Sequence, residues 1–253
     1  MRALITVSTG QQWSVELGQP LPISIRLNRT TSNLRAYFLP PAEIVPATSG
    51  NFIGSIAAGG SVNCDRLVLY PHGNSTHTEC LGHISRERYW IADCLRSWTA
   101  IAVVVSIEPR QRGADCLITA DQLAIALTVS DARALVIRTL PNDPSKCQRN
   151  WSGTNPPYLE PEAAALLRRQ GIEHLVVDLP SIDPESDGGV LAAHRAFWNY
   201  PDAPRLEATI TELCYIPDSI PDGTYWMQLG VLPLESDASP SHIVLYPATP
   251  VRL

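Results

Sequence analysis

The sequence predicts a mixed α/β fold with abundant strand, and three observations carry that prediction. Seven segments are rich in β-branched residues and stop at turn residues. Several of them are continuous apolar runs, the pattern of a sheet buried on both faces. The stretch from Glu160 to Leu179 reads helix then strand, which is an α/β unit. In chain order the strands are Ala3–Ser8, Arg66–Tyr70, Ala100–Ile107, Ala134–Leu140, His174–Leu179, Ala208–Ile216 and Ser241–Tyr246. The first helix of note, Glu160–Gln170, has Pro161 in its first turn and stops at Gly171. That is the asymmetry helices prefer, because proline lacks only an N–H that has no partner there and glycine turns freely at the end. A second helix, Leu191–Phe197, follows the Gly188-Gly189 break, and Thr119–Thr128 is a third, weaker one.

The chain has 253 residues, and its Pro-rich patches at 40–46, 156–161 and 217–221 read as turns between elements. A single domain over residues 1–253 is the simplest organisation. Hydrophobic residues make up 45% and charged residues 17%, against about 25% charged in an average domain, which excludes a disordered chain. Gly 15 and Pro 22 occur without a period, which excludes a collagen-like chain. The net charge is −6, Lys146 is the sole lysine, and arginines form no cluster. Nucleic acid and anionic membranes are poor partners for such a surface. No run of about 18 apolar residues is present, and the N-terminus reads as a strand, not a signal peptide. The six cysteines are scattered without a C-x-x-C pair, so free thiols in a reducing cytoplasm are expected.

The chemistry concentrates between Pro71 and His83, PHGNSTHTECLGH, which holds three of the six histidines and Glu79. In extended backbone His77 and Glu79 share a face, so both reach one metal ion. His83 lies four residues further, across Gly82, close enough to overhang that site. His72 precedes His77 by five, an odd spacing that puts it on the other face of a plain strand. The Gly73-Asn74 turn signal offers a bend that brings it back. Glu212 sits in the apolar strand ITELCYI, where it needs a cation or an outward face, alternation grouping it with Ile210 and Cys214. His194, in LAAHRAFW, is ambiguous, since a lone helix histidine is more often a packed or capping side chain than a ligand.

These segments resemble the cyclase-like metal-dependent hydrolases, the family of bacterial kynurenine formamidase and isatin hydrolase. That family carries H-x-G-T-H-x-D-x-P-x-H, and the matching text runs from His72 through His77 and Glu79 to His83. The resemblance continues in ALVIRTL, in the D-x-P-S-x-D of Asp178, Pro180, Ser181 and Asp183, in VLAAH, in ITEL and in the closing DGTYWMQLGVLPL…HIVLYP. It covers the chain from about residue 60 onward and implies a swivelling β/β/α mixed sheet assembled as a homodimer or homotetramer. His77 and Glu79 are then metal ligands, with His72 beside them, and His194 and Glu212 ligands of a second ion. His83 is then the acid/base. The implied cofactor is Zn²⁺ or Mn²⁺, one or two ions per chain. The implied activity is amide hydrolysis on a small-molecule substrate, N-formylkynurenine as in an arylformamidase, or a cyclic amide such as isatin. Three departures mark a diverged member: the first His lies five, not four, before the second, Glu79 replaces Asp, and Leu81 replaces Pro.

Other features read as structural. Gly54–Ser61 lacks the lysine and helix of a phosphate loop. Cys80 and Ser75 lack a base or elbow to make them nucleophiles. His174 and His242 sit in strands, and Tyr89 and Trp90 read as core more than as substrate contacts.

Overall fold

In the computed structural model, described for residues 1–30, 32–126 and 131–251, the chain opens with a hairpin, β1 (Arg2–Thr6) and β2 (Gln12–Glu16). Seven longer-range strands follow: β3 (His77–Glu79), β4 (Thr99–Ile107), β5 (Ala134–Thr139), β6 (His174–Val177), β7 (Thr209–Glu212), β8 (Gly223–Val231) and β9 (Ala238–Pro250). Around the sheet they run β9-β8-β4-β5-β6-β7-β3, and β3 pairs back onto β9, so a barrel closes. Strands β4 to β7 are parallel, and the remaining pairings are antiparallel.

The expected mixed sheet is therefore present, with strand ends that coincide with the expected ones or differ by up to four residues. The apolar runs of β4, β5 and β6 are buried on both faces, as parallel strands require. Alternation sends Val103, Val105, Leu135 and Ile137 outward, onto a cluster with Leu167, Phe197 and Trp198 of the covering helices. It sends Ala102, Val104, Val136 and Val176 inward, against Met227, Leu229, Ile243 and Leu245. The helix Pro161–Arg169 buries Ala163, Ala164 and Leu167, with Glu162 in its first turn and Arg168 and Arg169 in its last, each favoured by the helix dipole. The weaker helix spans Ala120–Ala126, and residues 127 and 128 lie outside the described residues.

Two expectations need correction. The strand predicted over Ala208–Ile216 ends at Glu212, because Leu213 turns into the left-handed region at φ 55°. Alternation breaks there: Ile210 stays on the outer face while Cys214 joins the interior cluster. The strand predicted at Arg66–Tyr70 forms at Asp65–Val68, but outside the barrel. It pairs with Glu43–Pro46 as the stem of an arm whose tip pairs Thr48–Ser49 with Phe52–Ile53. Between residues 43 and 70 only Gly54 is buried. Val45, Phe52, Ile53, Ile56, Val62, Leu67, Val68 and Tyr70 are exposed along the arm. Among the described residues no helix is long and apolar enough to cross a membrane.

Candidate metal centre

The centre lies on the outer face of the barrel, where β3 is held between β7 and β9. Register puts His77 opposite Glu212 and Glu79 opposite Ile210 on one side, and Glu79 opposite Ala238 on the other. His77 and Glu79 are both fully buried on one face of β3, as their spacing predicts. The chain before β3 is a helical turn, Pro71–Asn74, and this turn returns His72 to the same side despite its odd spacing. At position 73 a Cβ would lie 2.6 Å from the flexible tip of Leu39, Cδ1, and 3.1 Å from the Ala36 carbonyl oxygen, so a larger residue there is crowded. After β3 the turn Leu81–His83 delivers His83, and Gly82 lets it pass the Tyr89 carbonyl, which a Cβ would meet at 2.1 Å.

His194 arrives on the helix Ala192–Trp198, whose N-cap Leu191 has φ 49° and no side-chain cap. The cap comes instead from Asp183, which accepts the N–H groups of Ala193 and His194 at 2.7 and 2.9 Å. Its Oδ2 also lies 2.5 Å from His194 Nδ1, so one carboxylate starts the helix and aims the ring. His194 Nε2 then lies 3.0 Å from Glu79 Oε1 and 3.8 Å from Glu212 Oε1. Glu212 Oε1 accepts the Ile182 N–H at 3.1 Å, and Oε2 faces His77 Nε2 at 3.4 Å. His72 Nδ1 is 3.3 Å and His83 Nε2 3.8 Å from Glu79 Oε2. The structure thus brings together His72, His77, Glu79, His83, His194 and Glu212.

The donor set fits a divalent cation. His77 Nδ1 donates to the Ser75 carbonyl at 3.0 Å, which leaves Nε2 as a lone pair facing inward. That Nε2 and Glu79 Oε2 are buried and have no hydrogen-bond partner among the described residues, a costly state that a cation relieves. His72, His77 and Glu79 offer donor atoms within 4.8 Å of one another, as do Glu79, His83 and His194. Imidazole nitrogen with carboxylate oxygen is the ligand chemistry of zinc and manganese.

The electrostatics agree. Burial acts to lower His72, but its hydrogen bond with Asp237, the adjacent Glu79 carboxylate and the charges of both outweigh this and raise it to about 10. Burial likewise acts against a charged His194, yet Glu79, Asp183 and Glu212 raise it to about 10. Burial alone would raise Glu79, but His83, His194 and His72 hold it well below the ordinary carboxylate range. The carboxylates demand positive charge at their centre, from protons or from a metal.

Two residues of the centre escape sequence reading. Asp237, just before β9, contacts His72 and His83. Tyr37 donates to the Pro180 carbonyl at 2.6 Å, and burial first, then the negative charge of Glu212, raises its hydroxyl well above the ordinary range. Tyr37 and Phe38 both have positive φ, 58° and 55°, a strained pair that leaves Phe38 exposed. No spacing rule marks either Asp237 or Tyr37. Conversely, Tyr89 packs against both core clusters and Trp90 lies under the Arg88 guanidinium at 5.9 Å. His174 is buried and His242 exposed, and neither belongs to the centre.

Comparison with known proteins agrees with this picture. The family described as "Putative cyclase" matches residues 14–184, and the chain belongs to that family. No curated protein matches the sequence. Among solved structures, an isatin hydrolase bound to the product analogue thioisatinate is similar at 18% identity and a TM-score of 0.66, over 90% of this chain and 92% of that one. Isatin hydrolase A from Labrenzia aggregata gives 12% identity and a TM-score of 0.65, over 90% and 93%. A predicted metal-dependent hydrolase from Bacillus stearothermophilus gives 17% and 0.63, over 90% and 98%. At these identities the likeness is one of fold.

Proposed function

We propose that this protein is a metal-dependent hydrolase of an amide bond in a small aromatic substrate, in the manner of an arylformamidase that splits N-formylkynurenine into kynurenine and formate. The observation that carries the reading is the pair of buried, unpartnered atoms, His77 Nε2 and Glu79 Oε2, at the meeting point of four histidines and two glutamates. His72, His77, Glu79, His194 and Glu212 hold one or two Zn²⁺ or Mn²⁺ ions. A bound ion supplies Lewis-acid activation of the carbonyl and of water. His83 carries the proton: Nε2, on the inner side of its ring, receives it from the attacking water and delivers it to the leaving nitrogen. Asp183 keeps His194 in the orientation that turns Nε2 inward.

Substrate enters from the side where His72 and His83 are 25% and 29% exposed. The arm ends at Tyr70, two residues before His72, and its exposed apolar side chains need cover, since an isolated hairpin is marginal in water. A homodimer or homotetramer, built through this arm, is the assembly we propose. The six cysteines are free, which suits action in the cytoplasm.

The test is elemental analysis of chelator-free protein, followed by assay with N-formylkynurenine and isatin. One or two zinc or manganese ions per chain with formate release supports the reading. Ring-opening of isatin in place of formate release would move the substrate to cyclic amides, the activity named for two of the structural relatives. Failure to take up either metal after dialysis leaves a diverged, non-catalytic member.

A further inference from the structure

Asp237 Oδ2 lies 2.8 Å from His72 Nε2 and 3.1 Å from His83 Nδ1, so His72, His83 and Asp237 form a third group of donor atoms within 4.8 Å of one another. The two rings stack on each other, centroids 4.3 Å apart at 30°. An ionised carboxylate only accepts, so both of those nitrogens carry hydrogens. The opposite nitrogens, His72 Nδ1 and His83 Nε2, therefore turn inward, and both face the same atom, Glu79 Oε2. That oxygen is the buried, unpartnered one.

We propose that Asp237 is a positioning residue that fixes the orientation of two histidines at once, turning His72 Nδ1 inward as a ligand and His83 Nε2 inward as the proton carrier. The inference rests on the metal-dependent reading above. It gives the exposed side of the centre the counterpart of what Asp183 does for His194 on the buried side. A shared anchor also ties the ligand to the proton carrier, because both rings bond the same carboxylate oxygen. The Asp237 backbone carbonyl accepts the Cys80 N–H at 2.9 Å, and that tie is independent of the side chain. Side-chain variants therefore keep the seam between Cys80 and the start of β9.

The experiment compares full-length wild type, Asp237→Asn and Asp237→Ala. Selective ¹⁵N-histidine NMR on metal-free protein reads the imidazole N–H groups. Zinc titration against a chromophoric chelator then reads affinity and stoichiometry. In the wild type, exchange-protected protons are expected on His72 Nε2 and His83 Nδ1. Asp237→Ala should lose both and bind zinc about 10–100-fold more weakly at unchanged stoichiometry. Asp237→Asn keeps an acceptor oxygen and should retain both protons and most of the affinity. Wild-type protons and wild-type affinity in Asp237→Ala would overturn the proposal. Loss of one zinc per chain at saturation would overturn it too, by making Asp237 a ligand. If wild type takes up no metal, the hydrolase reading fails, while the N–H protons still decide whether Asp237 orients the two rings.

Discussion

Replacing His174 with asparagine should flatten the acid side of the stability profile. His174 is buried at the start of β6, with Nδ1 2.9 Å from Thr209 Oγ1 and Nε2 without a partner among the described residues. Burial, and secondarily the positive charge of Arg205, lowers its pKa from 6.5 to about 4. Above pH 6.5 the ring is neutral in both folded and unfolded chains, and it contributes no pH dependence. As the pH falls from 6.5 toward 4, the unfolded chain takes up a proton that the folded one refuses. Stability therefore drops through that window and levels off below it. The gap from 6.5 to about 4, at about 1.4 kcal/mol per unit, amounts to about 3 kcal/mol, most of it lost by pH 4.5. Urea unfolding with chelator present, at pH 7.5 and 4.5, measures it. Asparagine offers a polar group to Thr209 without titrating, so wild type should lose about 2–3 kcal/mol more than His174→Asn between the two pH values. Parallel losses would refute the reasoning, because they would mean that the folded ring protonates as freely as an exposed one.

Glu79→Ala should abolish turnover and lower metal content, whereas His83→Ala should slow turnover by about 10²–10⁴-fold with metal still bound, as read by elemental analysis and steady-state assay. The buried Lys146 Nζ bonds Asp178 Oδ2 at 2.8 Å and the Thr139 carbonyl at 2.6 Å. Lys146→Met strands the Asp178 charge and should cost about 3–5 kcal/mol, or roughly 6–10 °C in melting temperature, with partial recovery on adding Asp178→Asn. Ile53→Ser with Leu67→Ser in the arm should shift the protein from oligomer to monomer in sedimentation velocity, with the barrel's circular dichroism unchanged.

The fold was legible where burial dictates residue type. Strands β4 to β6 must be apolar on both faces, and their runs of Val, Ile, Leu and Ala announce it. The helix Pro161–Arg169 was legible from its terminal residues. The centre was legible in part, because β3 presents alternate residues to one face and both happen to be metal-binding types. What escaped depends on contacts distant in sequence. Leu213 belongs to an apolar run, and nothing in that run announces its positive φ. Asp237 sits between Ser236 and Ala238 in what reads as a surface turn, and its role comes from residues more than 150 positions away. The arm's strand Asp65–Val68 carries the same β-branched pattern as a barrel strand, so pattern alone does not tell which sheet it joins.

Register is what converts this barrel into a site. β3 has only three residues and is held on both edges, by β7 and by β9. A slip of one residue would turn His77 and Glu79 into the barrel and Thr78 out of it. The inner face guards against that slip: Thr78 and Thr211 hydrogen-bond through their hydroxyls at 2.7 Å, and both are fully buried. A hydroxyl buried opposite an apolar side chain would lose its partner, so the threonine pair penalises the shifted register on one face. The shifted register would be penalised on the other face as well, where an imidazole and a carboxylate would leave their partners for an apolar interior. Closure of the sheet at β3 therefore does two things at once. It satisfies the edges of β7 and β9, and it sets His77 against Glu212 and Glu79 against Ala238, the neighbour of Asp237, pairs that no local sequence rule could bring together.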